Sequence, residues 1–340
     1  MSATRHAGFA IALGISAVVA AVLLSLAVGA RQMGVSESIS AVRDGLALAF
    51  HTESGQVSEE AQVVAQLRVP RTLLGLLAGS ALGTAGALLQ GHTRNPLADT
   101  NLLGIAPGAA LAVAAATAVF GSLPVLVAVG VGFLGATVAV ALVFALSARS
   151  RGTTPITVVL GGSALGAVCS ALTSGIVLTS TQSLNDMRFW TAGSVAGRDM
   201  HIVAAVAPVI LVGLVAAFAT ANRVNMVNLG DDVAHSLGVN VASARAVGIL
   251  LVALLAGAAV AGAGPIGFVG LVVPHIVRSL TGPDYRLVLP CSALAGATLL
   301  LFADVAGRVI ARPGELQVGI TLAFVGAPFA LYLLRKGAKL

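Results

Sequence analysis

Stretches of about twenty apolar residues recur along this chain, and they constrain its fold more than any other feature of the sequence. Each stretch is long enough to cross the ~30 Å hydrocarbon core of a bilayer as an α-helix. Hydrophobic residues make up 57% of the 340 residues and charged residues only 9%, whereas soluble domains carry about 25% charged residues. Closed β-barrels also span membranes, but their alternating segments of about ten residues are absent. The sequence therefore predicts an all-α polytopic membrane protein.

The breaks between these stretches predict about ten spans within one transmembrane domain that covers residues 1–340. The eighth span is short and is interrupted by Pro274, and non-helical backbone at that depth is tolerated only inside protein or beside a cavity. The first stretch is longer than the apolar core of a signal peptide, about 7–15 residues, so we expect it to be retained as a span. The predicted spans are 8–30, 69–91, 102–120, 123–147, 156–180, 201–221, 244–263, 266–281, 286–305 and 316–335.

The distribution of charge predicts that both termini are cytoplasmic. Lys and Arg concentrate in cytoplasmic loops, and with a cytoplasmic N-terminus that side receives eleven of the 19 cationic residues. The net charge of +6 therefore indicates membrane orientation, and we expect no nucleic-acid partner. Residues 30–67 then form the longest outer loop, in which residues 36–39 could start a short surface helix.

No catalytic constellation is visible in the sequence. The phosphate-binding pattern G-x-x-x-x-G-K-S/T is absent, the histidines have no metal-ligand spacing, and Cys169 and Cys291 fall inside apolar stretches, which indicates packing rather than a disulfide. The span centres carry almost no charge; Asp304 comes closest, and Arg308 follows it at the spacing of a helical ion pair. Because ion-driven transporters use intramembrane charge, energy must come from a partner, or the protein is a passive pore. We expect no catalytic residue, metal or cofactor in this chain.

The cytoplasmic segment 226–243 is too polar to span but is patterned like a short amphipathic helix. Val233 and Leu237 are four residues apart, and Gly238 is typical of a helix end. One interpretation is an interfacial helix within a loop. The other is a helix that lies in a groove on a cytoplasmic partner.

Four arginines belong to the predicted outer side: Arg68, Arg71, Arg308 and Arg312. Exposed guanidinium groups bind carboxylates through two parallel hydrogen bonds, so an acidic partner could dock there. Anchoring at the membrane interface is the alternative, and the residue types alone favour it.

Four sequence blocks resemble the FecCD-type permeases of ABC importers, the membrane subunits that take up ferric siderophores, haem and vitamin B12 in bacteria. The resemblance covers nearly the whole chain after the first span. The blocks are RVPRTLLGLLAGSALGTAGALLQGHTRNPLADTNLLG, LGDDVAHSLGV, GPIGFVGLVVPHIVR and ADVAGRVIARPGELQVGITLAFVGAPFALYLLR, in that order. The resemblance implies the type II ABC importer permease architecture in the bacterial cell membrane, with ten spans per subunit.

The resemblance also implies the partners and the mechanism. Two permease subunits, identical or related, would surround a central path, and two cytoplasmic ATPase subunits would bind ATP and magnesium. A soluble binding protein would deliver the substrate from outside. Hydrolysis would move the permease helices between inward-open and outward-open states, while substrate selectivity would lie mainly with the binding protein.

Site residues follow from the resemblance by position in the motifs. Docking of the binding protein is assigned to Arg68, Arg71 and Arg308, with Arg312 and Glu315 beside them. Coupling to the ATPase is assigned to Gly230, Asp231, Asp232, Val233, His235, Leu237 and Gly238. Cytoplasmic gates are assigned to Asn95, Pro96 and Leu97, and to Thr154, Pro155 and Ile156, although Pro155-Ile156 departs from the short polar gate of the cobalamin-type permeases. Path-lining positions are assigned to Ser163, Ala164, Ala167, Thr321, Phe324 and Val325.

The favoured hypothesis is therefore a permease subunit that moves a ferric siderophore across the inner membrane by alternating access. Haem and cobalamin are alternative substrates within the same class. A secondary transporter or a channel is the alternative from another class.

Overall fold

The computed structural model describes residues 2–29, 35–50, 58–149, 155–179 and 190–337, and these residues form helices and short connections with no β-strand among them. The longer helices are α1 (Ser2–Ala27), α2 (Val35–Phe50), α4 (Val69–Thr93), α5 (Ile105–Phe120), α6 (Val125–Arg149), α7 (Pro155–Thr179), α8 (Met200–Ala219), α11 (Val241–Ala263), α12 (Val269–Thr281), α13 (Tyr285–Ile310) and α14 (Val318–Gly337). The shorter helices are α3 (Glu59–Val63), α9 (Ala221–Asn228) and α10 (Asp231–Ser236), with a π-helical turn at Val64–Arg68 and a 3-10 turn at Thr100–Leu103.

The predicted fold class is confirmed. Seven helices among the described residues are long and apolar enough to cross a membrane, namely α1, α4, α6, α7, α8, α11 and α13. Three shorter apolar helices, α5, α12 and α14, coincide with the third, eighth and tenth predicted spans. The breaks in hydropathy therefore located each apolar helix, because helix ends coincide with the polar and glycine-rich breaks.

The eighth span departs from the prediction in one respect. Pro274 does not interrupt α12 but lies inside it, and the non-helical backbone instead precedes the helix at residues 264–268. Proline cannot donate to the carbonyl four residues earlier, which here is that of Gly270. The Nε2 group of Gln90 donates to this oxygen at 3.0 Å, so the helix continues with its acceptor satisfied.

Helix α4 occupies the centre of the bundle and packs against α11, α12 and α13. Most of its residues are buried. A Cβ added at Gly79 would overlap the carbonyl oxygen of Gly296 in α13, and one at Gly86 would overlap that of Gly270 in α12. Small residues at such contacts allow helix backbones to approach closely, which is how helices associate in lipid.

The segment 30–67, predicted as an outer loop with a short surface helix, is largely helical where it is described, at residues 35–50 and 59–67. Helix α2 begins at Val35, one residue before the predicted start. Ser58 caps α3 by accepting a hydrogen bond from the backbone N–H of Ala61 at 3.2 Å. Helix α3 then continues through the π-helical turn into α4 without a loop, because Val64 and Val69 are buried against Leu26 and α2.

Candidate functional site

Two polar regions lie at opposite ends of α4. We call the first the arginine rim, formed by Arg68, Arg71, Asp304, Arg308 and Glu315. We call the second the turn rim, formed by residues 94–97, α10 and Arg245. Both regions contain residues that the sequence assigned to partner binding.

The arginine rim is an ion-pair network at the start of α4 and the end of α13. Arg71 binds the carboxylate of Asp304 with two nitrogens, Nε at 2.9 Å from Oδ2 and Nη2 at 2.7 Å from Oδ1. Its third nitrogen, Nη1, lies 2.7 Å from Oε2 of Glu315. Arg308 pairs with the other side of Asp304, Nη2 to Oδ2 at 2.8 Å. Asp304 is 1% exposed, and a buried carboxylate requires such pairing to remain charged.

Other donors of Arg68 and Arg308 hold the C-terminal end of α1. Arg68 Nη1 donates to the carbonyl oxygens of Leu26 and Ala27 at 2.8 and 2.9 Å. Arg308 Nη1 donates to those of Ser25 and Val28 at 3.0 and 2.7 Å. The last carbonyls of a helix have no partner within the helix and carry partial negative charge. The two guanidinium groups therefore cap α1 and attach it to α4 and α13.

The expectation that Arg68, Arg71 and Arg308 are exposed is wrong. Their exposed fractions are 5%, 8% and 1%, because neighbouring helices supply carbonyl and carboxylate acceptors that are distant in sequence. Arg312 and Glu315 are exposed, and Arg312 Nη2 donates to the carbonyl oxygen of Gly29 at 2.9 Å. The docking role of all five residues stays a prediction.

A cavity of about 470 Å³ adjoins the arginine rim. Its lining includes Trp190, Arg198, Glu315 and Gln317. Burial lowers the pKa of Arg198, and the neighbouring Asp199 opposes this shift. Sequence reasoning missed Arg198, because an isolated arginine in a polar connection carries no motif. It also missed Ser25, whose Oγ accepts a hydrogen bond from Arg308 Nη2 at 2.9 Å.

The turn rim begins where α4 ends. Arg94 adopts a left-handed conformation with φ of 49°, which is uncommon outside glycine and stops the helix. The three predicted gate residues that follow, Asn95, Pro96 and Leu97, are exposed. Asn95 Oδ1 accepts a hydrogen bond from the backbone N–H of Leu97 at 2.9 Å. The predicted gate is thus a compact turn that its own asparagine stabilises.

Helix α10 lies beside this turn and confirms that segment 226–243 contains a short helix. Gly230 precedes it with φ of 122°, and Gly238 follows it with φ of 81°, both conformations that favour glycine. Asp231 and Asp232 occupy the first turn, where negative charge suits the helix dipole. Val233 in α10 is 44% exposed, and Leu229 and Leu237, which flank the helix, are 66% and 56% exposed. Ala234 is buried, so one side of α10 lies against the protein, and we call the exposed surface formed by Leu229, Val233 and Leu237 the apolar face of α10.

A carboxylate joins α10 to the end of α4. Asp231 Oδ1 pairs with Nη2 of Arg94 and with Nη2 of Arg245 in α11 at 2.9 Å. The sequence assigned Asp231 to coupling but gave no sign of these partners, because Arg94 is 137 residues away. His235 Nδ1 lies 2.8 Å from the backbone oxygen of Asp231 within the same helix.

The other predicted site residues separate into different environments. Thr154 lies outside the described residues, and Pro155 and Ile156 begin α7. Ser163, Ala164 and Ala167 are exposed on α7, and Phe324 and Val325 are 76% and 55% exposed on α14. Thr321 is only 8% exposed, because it faces Gly307 in α13, so it does not share the exposed face of α14.

The described residues contain no group of three or more His, Cys, Asp or Glu side chains that could hold a metal ion. Cys169 and Cys291 are buried free thiols, as their apolar surroundings in the sequence predict.

Comparison with known proteins is consistent with these features. The family model described as the FecCD transport family matches residues 17–336. The ferric enterobactin transport system permease protein FepD of Escherichia coli is 41% identical over 321 residues, which is 94% of this chain and 92% of that protein. The Fe(3+)-citrate import system permease protein YfmD of Bacillus subtilis is 39% identical over 93% of this chain and 91% of its own length. A solved structure of a metal-chelate type ABC transporter in an inward-facing conformation superposes with a TM-score of 0.81 and 29% identity, over 95% of this chain and 97% of that chain.

Proposed function

This chain belongs to the FecCD transport family, and from that premise we propose that it carries a ferric siderophore across the cell membrane. The family assignment makes the chain a multi-pass ABC permease subunit, and hydrolysis of ATP occurs in a separate ATPase. The substrate class is supported by relatives that are permeases for ferric enterobactin and ferric citrate.

The observation that carries the partnership with an ATPase is the exposed apolar face of α10. Leu229, Val233 and Leu237 are exposed at a rim where the neighbouring side chains are polar and charged. A short helix with apolar side chains on one face is suited to a groove on a partner. We propose that two ATPase subunits bind a pair of permease subunits here, and that ATP and magnesium are bound by the ATPases.

This assignment sets the orientation. We propose that the turn rim and both chain termini are cytoplasmic, which agrees with the excess of Lys and Arg that the sequence predicts on that side. Residues 95–97, together with the start of α7, then lie at the cytoplasmic end of the path. The exposed residues of α7 and α14 are the proposed path-lining positions, and their small or apolar side chains suit loose contact with a bulky chelate.

The arginine rim then faces outward, and we propose that a soluble binding protein docks there. Arg312 and Glu315 are exposed and offer the first contacts. Arg71 reaches the surface only through its contact with the partly exposed Glu315, at 2.7 Å. An acidic side chain on the binding protein therefore binds Arg71 by replacing Glu315, whereas Arg68 and Arg308 remain engaged with α1.

Uptake measurements test this function. Cells that express the permease with its ATPase and binding protein are given ferric enterobactin, ferric citrate or a ferric hydroxamate labelled with radioactive iron, with haem and cobalamin as competitors. We expect uptake of a ferric chelate that stops when the phosphate-loop lysine of the ATPase is replaced. Uptake that persists without ATP hydrolysis would support a secondary transporter or channel instead. Inhibition by excess haem or cobalamin would indicate those substrates.

A further inference from the structure

We infer that Asp231 is a positioning residue that transmits movement of α10 to the turn at residues 94–97. The inference rests on the proposed function, in which α10 binds the ATPase and the turn lies at the cytoplasmic end of the path. It concerns the link between these two elements, which are separated by more than 130 residues of sequence.

A single carboxylate oxygen joins three elements of the turn rim. Asp231 Oδ1 receives the guanidinium of Arg94, which ends α4. The same oxygen receives Nη2 of Arg245, in the first two turns of α11, at 2.9 Å. Because Asp231 is the first residue of α10, a shift of this helix displaces the partner of both arginines. Arg94 is bonded directly to Asn95, so the displacement reaches the turn without passing through the bundle.

The backbone around α10 is suited to such movement. Gly230 and Gly238 flank the helix at positive φ, and a Cβ added at either would meet no atom within 4 Å. Neither glycine is therefore required by packing; each is required by the conformation of the chain at that point. Hinges are formed by a few residues at the ends of elements that absorb changes in φ and ψ. The two glycines allow α10 to tilt while Asp231 maintains contact with α4.

The contact contributes little to the stability of the fold. The side chains of Arg94 and Asp231 are 36% and 43% exposed, and partly exposed ion pairs have small stabilising effects because water competes for both charges. Arg245 is only 15% exposed, so Arg94→Gln, which leaves Asp231 paired with Arg245, is the variant of the pair that should leave the permease folded. A defect in variants of this pair then reports on transmission rather than on folding.

The experiment measures how ATP moves the turn in the assembled transporter. Cys169 and Cys291 are replaced by alanine, and nitroxide labels are attached through Leu97→Cys and Leu134→Cys, at two exposed positions in the turn and in the body of the bundle. The complex with its ATPase is reconstituted in nanodiscs, and the distance between labels is recorded with and without ATP. The rate of ATP hydrolysis is measured on the same samples.

We expect ATP to change this distance in the complex without substitutions in the pair, and we expect Arg94→Gln to reduce the change to less than half while hydrolysis continues. Asp231→Asn should reduce the change by a similar fraction when the change is compared at its own rate of hydrolysis. Arg94→Lys retains the charge and should recover most of the change. Arg223→Gln, which removes an exposed arginine of α9, is the matched control and should behave like the unmodified pair. An undiminished change in Asp231→Asn overturns the inference and leaves the proposed function intact. Absence of ATPase binding or of any ATP-dependent change in the unmodified complex overturns both.

Discussion

Gln90 donates a hydrogen bond from Nε2 to the carbonyl oxygen of Gly270 at 3.0 Å. This oxygen lies four residues before Pro274, whose ring nitrogen has no hydrogen to give it. The amide side chain thus replaces a backbone donor of α12 from a different helix, and its Oε1 also accepts from Arg278 Nη2. A proline within an apolar helix is tolerated here because a neighbouring helix satisfies the acceptor that it leaves free.

Replacement of Gln90 by leucine is expected to destabilise the protein by about 1–3 kcal/mol, the usual cost of leaving a buried polar group unpaired. The thermal unfolding midpoint in detergent measures the effect. Pro274→Ala in the same background restores a backbone donor for Gly270 and should recover part of the loss. Gln66→Leu, at an exposed position before α4, serves as the control. If Pro274→Ala recovers nothing, the loss arises from another contact of Gln90.

Replacement of Asp304 by asparagine is expected to have a larger effect. The neutral asparagine side chain would leave Arg71 and Arg308 close together with much of their charge uncompensated. Breaking a buried ion pair typically costs about 3–5 kcal/mol. We expect a much lower yield of folded protein and a lower unfolding midpoint, measured by size-exclusion chromatography and thermal unfolding. Asp44→Asn in α2 removes an exposed carboxylate and should change neither. Equal effects of the two substitutions would show that the arginine rim does not depend on Asp304.

Reversal of charge at Arg312 is expected to weaken docking of the binding protein without unfolding the permease, because this side chain is exposed. The effect should be larger at low ionic strength, since salt screens contacts between exposed charges. Affinity is measured by surface plasmon resonance at two salt concentrations, with Arg223→Glu in α9, on the side opposite the arginine rim, as the control. Unchanged affinity at low salt would exclude Arg312 from the docking surface. Arg71→Glu is a poor test, because it places a third carboxylate beside Asp304 and Glu315.

Introduction of charge on the apolar face of α10 is expected to abolish binding of the ATPase. Leu237→Asp places a carboxylate where we expect a groove on the partner, and desolvation of that charge opposes association. The yield of ATPase that copurifies with the permease measures binding. Ser236→Asp adds the same charge at the neighbouring position and should reduce copurification less. Equal losses would indicate that charge near α10, and not its apolar face, determines binding.

The sequence by itself determined that the protein lies in a lipid bilayer, where its spans are and which local patterns they contain. The length of each apolar stretch and the breaks between them depend on neighbouring residues alone, so the ten apolar helices among the described residues and the short helix α10 follow from inspection of the chain. The motif blocks likewise identify the family, because the order of residues within each block suffices.

The sequence also predicted the pair of Asp304 and Arg308, because they are four residues apart in one helix, but only the tertiary structure decided which charged groups distant in sequence meet. Arg71 and Asp304 are 233 residues apart, and Arg308 reaches carbonyl groups 280 residues away. The sequence therefore predicted exposed arginines where packing of α1 against α13 buries them. The same holds for Asp231 with Arg94, and for Gln90 with the acceptor that Pro274 leaves free. A guanidinium or carboxylate pairs with whichever acceptor or donor the helices bring within about 3 Å, and that choice is made by packing and not by local sequence.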